Sequence, residues 1–182
     1  MRLALAILLA VFSQALAQET VIFTGEITSP DINVRADSRV TAPVICALDK
    51  GEQVEVVLEA HDWYRIKLPK KAPAYIKKSF VECIAPAAPD PRQKKEAPKK
   101  EELCSSAKLL NDRVNIRLGP GESAPILGMA YKDEPVKVVA EEEGWYRIEP
   151  TDKAFGWLNK KFVKKAVPPG ETEPKPKKKG AR

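Results

Sequence analysis

Two stretches decide the reading: DINVRADSRVTAPVICALDKGEQVEVVLEAHDWYRIKLPKKAPAYIKKSFVE (residues 31–82) and RVNIRLGPGESAPILGMAYKDEPVKVVAEEEGWYRIEPTDKAFGWLNKKFVK (residues 113–164). They superpose without a gap at a constant offset of 82 positions. Asn33/Asn115, Arg35/Arg117, Ala42-Pro43/Ala124-Pro125, Val54/Val136, Val56/Val138, Trp-Tyr-Arg-Ile and Phe80-Val81/Phe162-Val163 coincide. Chance does not produce gapless agreement of this length, so the chain carries a tandem duplication.

Within each copy the pattern is β. Residues 53–59 and 135–139 alternate polar with branched apolar side chains, as half-buried strands do. In Trp63–Leu68, Tyr64, Ile66 and Leu68 share one face, and Trp63, Arg65 and Lys67 the other. Lys50-Gly51, Lys132-Asp133, Asp62 and Gly144 supply turn residues ahead of strands. Several short strands within about sixty residues predict a small barrel per copy, with a core so modest that each alone should be marginal.

The spacing predicts five segments. Residues 1–17 have an early cation (Arg2), an apolar run from Leu3 to Phe12 and an Ala15-Leu16-Ala17 end, the layout of a signal peptide cleaved before Gln18. That run is about half the roughly 20 residues needed to span a bilayer, so export is expected and no transmembrane span after signal removal. Residues 20–84 form the first barrel, 85–104 a disordered linker rich in Pro, Ala, Lys and Glu, 105–166 the second barrel, and 167–182 a disordered basic tail.

Charge follows this division. The net charge is +6, yet residues 20–84 balance at nine basic and nine acidic side chains, and residues 105–166 carry eleven and nine. The tail carries five and two. The near-neutral barrels lack the basic footprint of a nucleic-acid-binding domain, so no nucleic acid is expected as partner.

Three cysteines, Cys46, Cys83 and Cys104, would meet an oxidising compartment after export. One disulfide and one spare thiol is the simplest outcome, with three pairings open. The second copy has Gly128 and Lys165 where the first has Cys46 and Cys83. That shared absence favours Cys46–Cys83, whereas Cys83–Cys104 would staple the two halves together.

The residues also carry a resemblance. Val114-Asn115-Ile116-Arg117-Leu118-Gly119-Pro120, Gly144-Trp145-Tyr146-Arg147-Ile148 and Gly156-Trp157-Leu158 resemble the bacterial SH3-like domain family. The first copy departs from the pattern with Ala36-Asp37-Ser38, Asp62 before Trp63, and Ala74-Tyr75 in place of Gly-Trp. The resemblance covers about two thirds of the chain. It implies an all-β fold of two small SH3-like barrels and a binding or targeting role toward cell-wall peptidoglycan or envelope protein segments, in the periplasm or outside the cell.

Under that resemblance the ligand candidates are Asn115, Arg117, Trp145, Tyr146 and Trp157 in the second copy and Asn33, Arg35, Trp63, Tyr64 and Tyr75 in the first. Exposed aromatics can stack on sugars or peptides, and Arg117 could hold a carboxylate in a bidentate pair. Tyr64 and Tyr146 share the isoleucine face and belong to the core first. Asn33 and Asn115 can satisfy loop backbone groups.

The chain is not expected to be an enzyme. His61 is the single histidine, in the turn Ala60-His61-Asp62; a cysteine nucleophile would need a histidine nearby as base, and a lone surface histidine is usually just solvated. The cysteines lack metal-ligand spacing, no phosphate or dinucleotide loop is present, and neither metal nor cofactor is expected. The alternative reading makes the barrels spacers and gives Lys175, Lys177, Lys178, Lys179 and Arg182 the contact with an anionic envelope polymer or membrane surface.

Overall fold

The computed structural model describes residues 19–84 and 104–166. The expected signal peptide, most of the expected linker and the basic tail lie outside the described residues.

The first repeat contributes β1 (Phe23–Ile27), β2 (Ile32–Arg35), β3 (Val44–Leu48), β4 (Gln53–Ala60), β5 (Trp63–Lys67), β6 (Ala74–Lys77) and β7 (Val81–Cys83). The second contributes β8 (Ser106–Leu109), β9 (Val114–Arg117), β10 (Ile126–Ala130), β11 (Pro135–Glu142), β12 (Trp145–Ile148), β13 (Phe155–Asn159) and β14 (Val163–Lys165). One 3-10 turn precedes β7 (Lys78–Phe80) and another precedes β14 (Lys160–Phe162). The described fold is all-β, as the alternation predicts. Strand β4 shows why: Val54 and Val56 are buried between exposed Gln53 and Glu55, and where the register shifts between Val56 and Leu58, Val57 is buried as well.

The strands form two seven-stranded sheets, ordered β14-β1-β4-β5-β13-β2-β3 and β10-β9-β6-β12-β11-β8-β7. Neither sheet is made from a single repeat. The arm β13–β14 of the second repeat completes the first barrel, and the arm β6–β7 of the first repeat completes the second. Residues 20–84 and 105–166 are therefore repeats in sequence, while each barrel draws on both.

The exchange is reciprocal and keeps one register. Gly156 pairs with Ile66, Trp157 with Arg65, Leu158 with Tyr64 and Asn159 with Trp63. In the other barrel the equivalent residues pair identically: Ala74 with Ile148, Tyr75 with Arg147, Ile76 with Tyr146 and Lys77 with Trp145. Beyond them, Trp157 meets Arg35 and Tyr75 meets Arg117.

Two short segments carry the crossing, residues 68–73 and 149–154. Pro69 and Pro73 lie in the first and Pro150 in the second. Each segment holds a turn, closed by Ala72 N donating to Pro69 O at 2.9 Å and by Ala154 N donating to Thr151 O at 3.0 Å. Ala154 and Ala72, both buried, sit at these crossings, and Leu68 N donates to Ala154 O at 2.9 Å. Close packing here leaves no room at Gly128 of β10, where a Cβ would lie 1.7 Å from Lys153 O. The equivalent position in the first repeat is Cys46.

The buried apolar residues form one contiguous cluster spanning both barrels. The exchanged arms reach its centre: Leu158 and Ile76 are each 0 % exposed. The cores of the two repeats are thus joined into one.

The disulfide joins Cys83 to Cys104, with Cα atoms 5.6 Å apart. This corrects the expectation of Cys46–Cys83. Exchange carries Cys83 into the second barrel, where β7 pairs with β8 and Cys83 stands opposite Ala107, three residues from Cys104. Cys46 stays on β3 in the other sheet as a free thiol. Burial pushes that thiol up to about 11.

Candidate ligand-binding groove

Strand β9, between β10 and β6, presents Asn115 and Arg117, and β12 brings Trp145 to the same groove. Asn111, Asp112 and Arg113 form the rim, with Arg113 in a left-handed conformation (φ 61°) that turns the chain into β9. The remaining wall comes from the other repeat: Lys77 at the end of β6 and Phe80 in the following 3-10 turn. Together they enclose a groove of about 320 Å³.

Trp145 is 9 % exposed and serves as the floor, while Phe80 is 36 % exposed at the lip. Lys77 Nζ bridges to Glu122 Oε1 at 2.7 Å across the groove. That bond holds the Glu122 carboxyl below its ordinary value. The groove thus offers an aromatic floor, amide and guanidinium donors, and one cation and one anion that can re-pair with a ligand.

Three of the sequence candidates, Asn115, Arg117 and Trp145, come together here. Arg117 already has a structural task, because one guanidinium nitrogen donates to Ala124 O at 2.7 Å and closes the loop after β9. Arg35 does the same to Ala42 O at 2.8 Å. The bidentate carboxylate clamp expected of Arg117 is therefore reduced to the donors this bond leaves free.

The other candidates lie elsewhere. Tyr146 is 3 % exposed, with its hydroxyl 3.7 Å from the Cys83 sulfur and Lys78 Nζ 5.4 Å from its ring centre. Tyr75 is buried beside Arg117, and its hydroxyl donates to Glu142 at 3.3 Å. Burial, reinforced by the neighbouring Glu142 carboxylate, pushes the pKa of this hydroxyl above its ordinary value. Trp157 stands in the first barrel opposite Arg35, near Asn33 and Trp63 by strand order, and so does not join Trp145. Tyr64 is half-buried and packs edge-on against Phe23, ring centres 5.2 Å apart.

Lys77, Phe80 and Glu122 were missed by sequence reasoning. Lys77 and Phe80 belong to the first repeat, and only the exchange brings them to Asn115.

A larger recess of about 820 Å³ lies where β5 and β13 meet β10. Its cations are already occupied: Arg65 with Glu19 at 2.7 Å and over the Phe155 ring at 4.1 Å, Lys67 with Glu55 at 2.7 Å, and Lys153 with Glu134. Its lining holds neither a tryptophan nor a side-chain amide, both of which the groove presents.

His61, the one histidine, occupies a left-handed turn position (φ 48°) between β4 and β5, matched by Glu143 (φ 47°) between β11 and β12. It is exposed.

The family model described as bacterial SH3 domain matches residues 30–82 and 112–164. A curated protein of Bacillus subtilis (strain 168) named "Putative N-acetylmuramoyl-L-alanine amidase YrvJ" is 23 % identical over 144 residues. The match covers 75 % of this chain and 24 % of that protein, so the chain spans about a quarter of its relative's length. On the two matches, one to each repeat, the chain belongs to the bacterial SH3 domain family.

Proposed function

We propose that this protein is an exported, non-catalytic binding module whose composite groove holds a cell-wall ligand, peptidoglycan or an envelope protein segment. The observation that carries this reading is the groove over Trp145, with Asn115, Arg117 and Lys77 convergent on an aromatic floor. Aromatic surface for stacking combined with a few oriented polar groups is the chemistry of a sugar- or peptide-binding site. The relative named "Putative N-acetylmuramoyl-L-alanine amidase YrvJ" supports the same ligand class. The lysine-rich tail lies outside the described residues, and its contribution is separated by experiment.

The test is co-sedimentation of residues 18–182 with purified peptidoglycan sacculi at low and high salt. Asn115→Ala combined with Lys77→Ala changes groove polar groups without removing a core side chain. The reading predicts salt-resistant pelleting that falls at least fivefold in this variant. Pelleting that disappears with salt, or on truncation after residue 166, would transfer the contact to the basic tail.

A further inference from the structure

Each barrel could in principle be completed by its own arm, because the two arms share pattern and register. From the residues at the crossing ladders we infer that the open edge of each repeat is built to accept the other repeat's arm and to reject its own.

Charge makes the first distinction. Glu26 on β1 stands opposite Lys164 on β14, with Nζ and Oε1 3.3 Å apart. Glu82 on β7 stands opposite Lys108 on β8, at 3.1 Å. At the offset of 82, Glu26 corresponds to Lys108 and Glu82 to Lys164. An arm returned to its own repeat would set Glu82 against Glu26 and Lys164 against Lys108. Opposite charges across a ladder attract and like charges repel, so both ladders favour the exchange.

Size makes the second. Gly156 of β13 fits where a Cβ would lie 2.4 Å from Val34 Cγ1, 2.9 Å from Leu68 Cδ2 and 3.1 Å from Ile45 Cδ1. Ala74 is its equivalent and would bring that Cβ into the first barrel. In the second barrel the corresponding positions are Ile116, Pro150 and Leu127, and Ala74 is fully buried there. The shorter Pro150 in place of Leu68 leaves space that the first barrel lacks.

Polar partners make the third. Tyr75 reaches Glu142 and Lys77 reaches Glu122 across the repeats. In its own repeat Tyr75 would find Ala60 and Lys77 would find Val40, neither of which can accept a hydrogen bond through its side chain. The Cys83–Cys104 bond then closes the exchanged pairing of β7 and β8 covalently.

Charge reversal tests the inference on the full chain. Glu82→Lys with Lys164→Glu makes both exchanged ladders repulsive and both self-pairings attractive. Adding Glu26→Lys and Lys108→Glu restores opposite charges in the exchanged ladders and like charges in the alternative. After oxidative refolding, the inference expects the double variant to melt about 5 °C or more below wild type at low salt. It should also form less of the Cys83–Cys104 bond, measured by peptide mass mapping. The quadruple variant should recover both readouts, and the gap between the two should narrow in 1 M salt. A double variant that melts and oxidises like wild type, or a quadruple variant no better than the double, overturns it.

Discussion

At the scale of single residues, packing and polarity set clear expectations. Gly156→Ala pushes a methyl group against Val34, Leu68 and Ile45 at once, so it should cost about 1–3 kcal/mol in denaturant unfolding. Ala74→Gly, which only relaxes a buried strand position, should cost less, about 0.5–1 kcal/mol. Cys46 should react slowly with thiol reagents at pH 8 in the native state and rapidly in denaturant, because burial keeps its thiol protonated to about 11. Trp145 and Tyr146 show what a repeated tetrapeptide encodes. Both are buried, while Trp63 and Tyr64 of the first copy are half-buried, so Trp-Tyr-Arg-Ile is first a strand that packs on the core, and Trp145 also reaches the groove. The alternation of Tyr64, Ile66 and Leu68 predicted the inward face correctly for Ile66 and Leu68. It left Tyr64 half-buried because Phe23 shares its place.

At the scale of elements, strands and loops depend on a few bonds that sequence alone hides. The loop after β9 is closed by Arg117, and the loop after β2 by Arg35. Arg117→Ala should cost about 1–3 kcal/mol by leaving the part-buried Ala124 carbonyl unpaired, and should loosen the groove rim as well. Glu52 and Glu122 are held below their ordinary values, chiefly by hydrogen bonds from Lys71 and Lys77. A depressed carboxyl stabilises the fold above its unfolded value, and that contribution is lost as pH falls through the folded one. Melting temperature should therefore drop on acidification below the ordinary carboxylate range, with Lys77→Ala flattening part of the drop. Strand positions, turns and the repeat were legible from periodicity and self-similarity. The pairing of arms was not, because β6–β7 and β13–β14 have the same pattern. The charges at 26, 82, 108 and 164, Gly156 against Ala74, and the partners of Tyr75 and Lys77 distinguish them, and these acquire meaning once the register is known. The cysteine pairing was misjudged for the same reason, since comparing repeats position by position assumes that each folds on itself.

At the scale of the molecule, exchange gives the two barrels a shared core and a groove walled by both repeats. Two crossing segments and a disulfide tie the barrels together, so the independent reach that a long linker would give bivalent binding is restricted. The bond spans a sequence separation of 21, and its reduction should lower stability by about 3 kcal/mol while leaving the exchanged strands paired. That last expectation gives the most direct test of the central claim that each barrel is completed by the other repeat. A site-specific protease sequence would be placed within residues 85–103 of the folded protein, cut, and the disulfide then reduced. Native mass spectrometry should find the two pieces still bound as a single 1:1 complex, because each holds strands inside the other's sheet. Two separately folded pieces released on reduction would contradict the account.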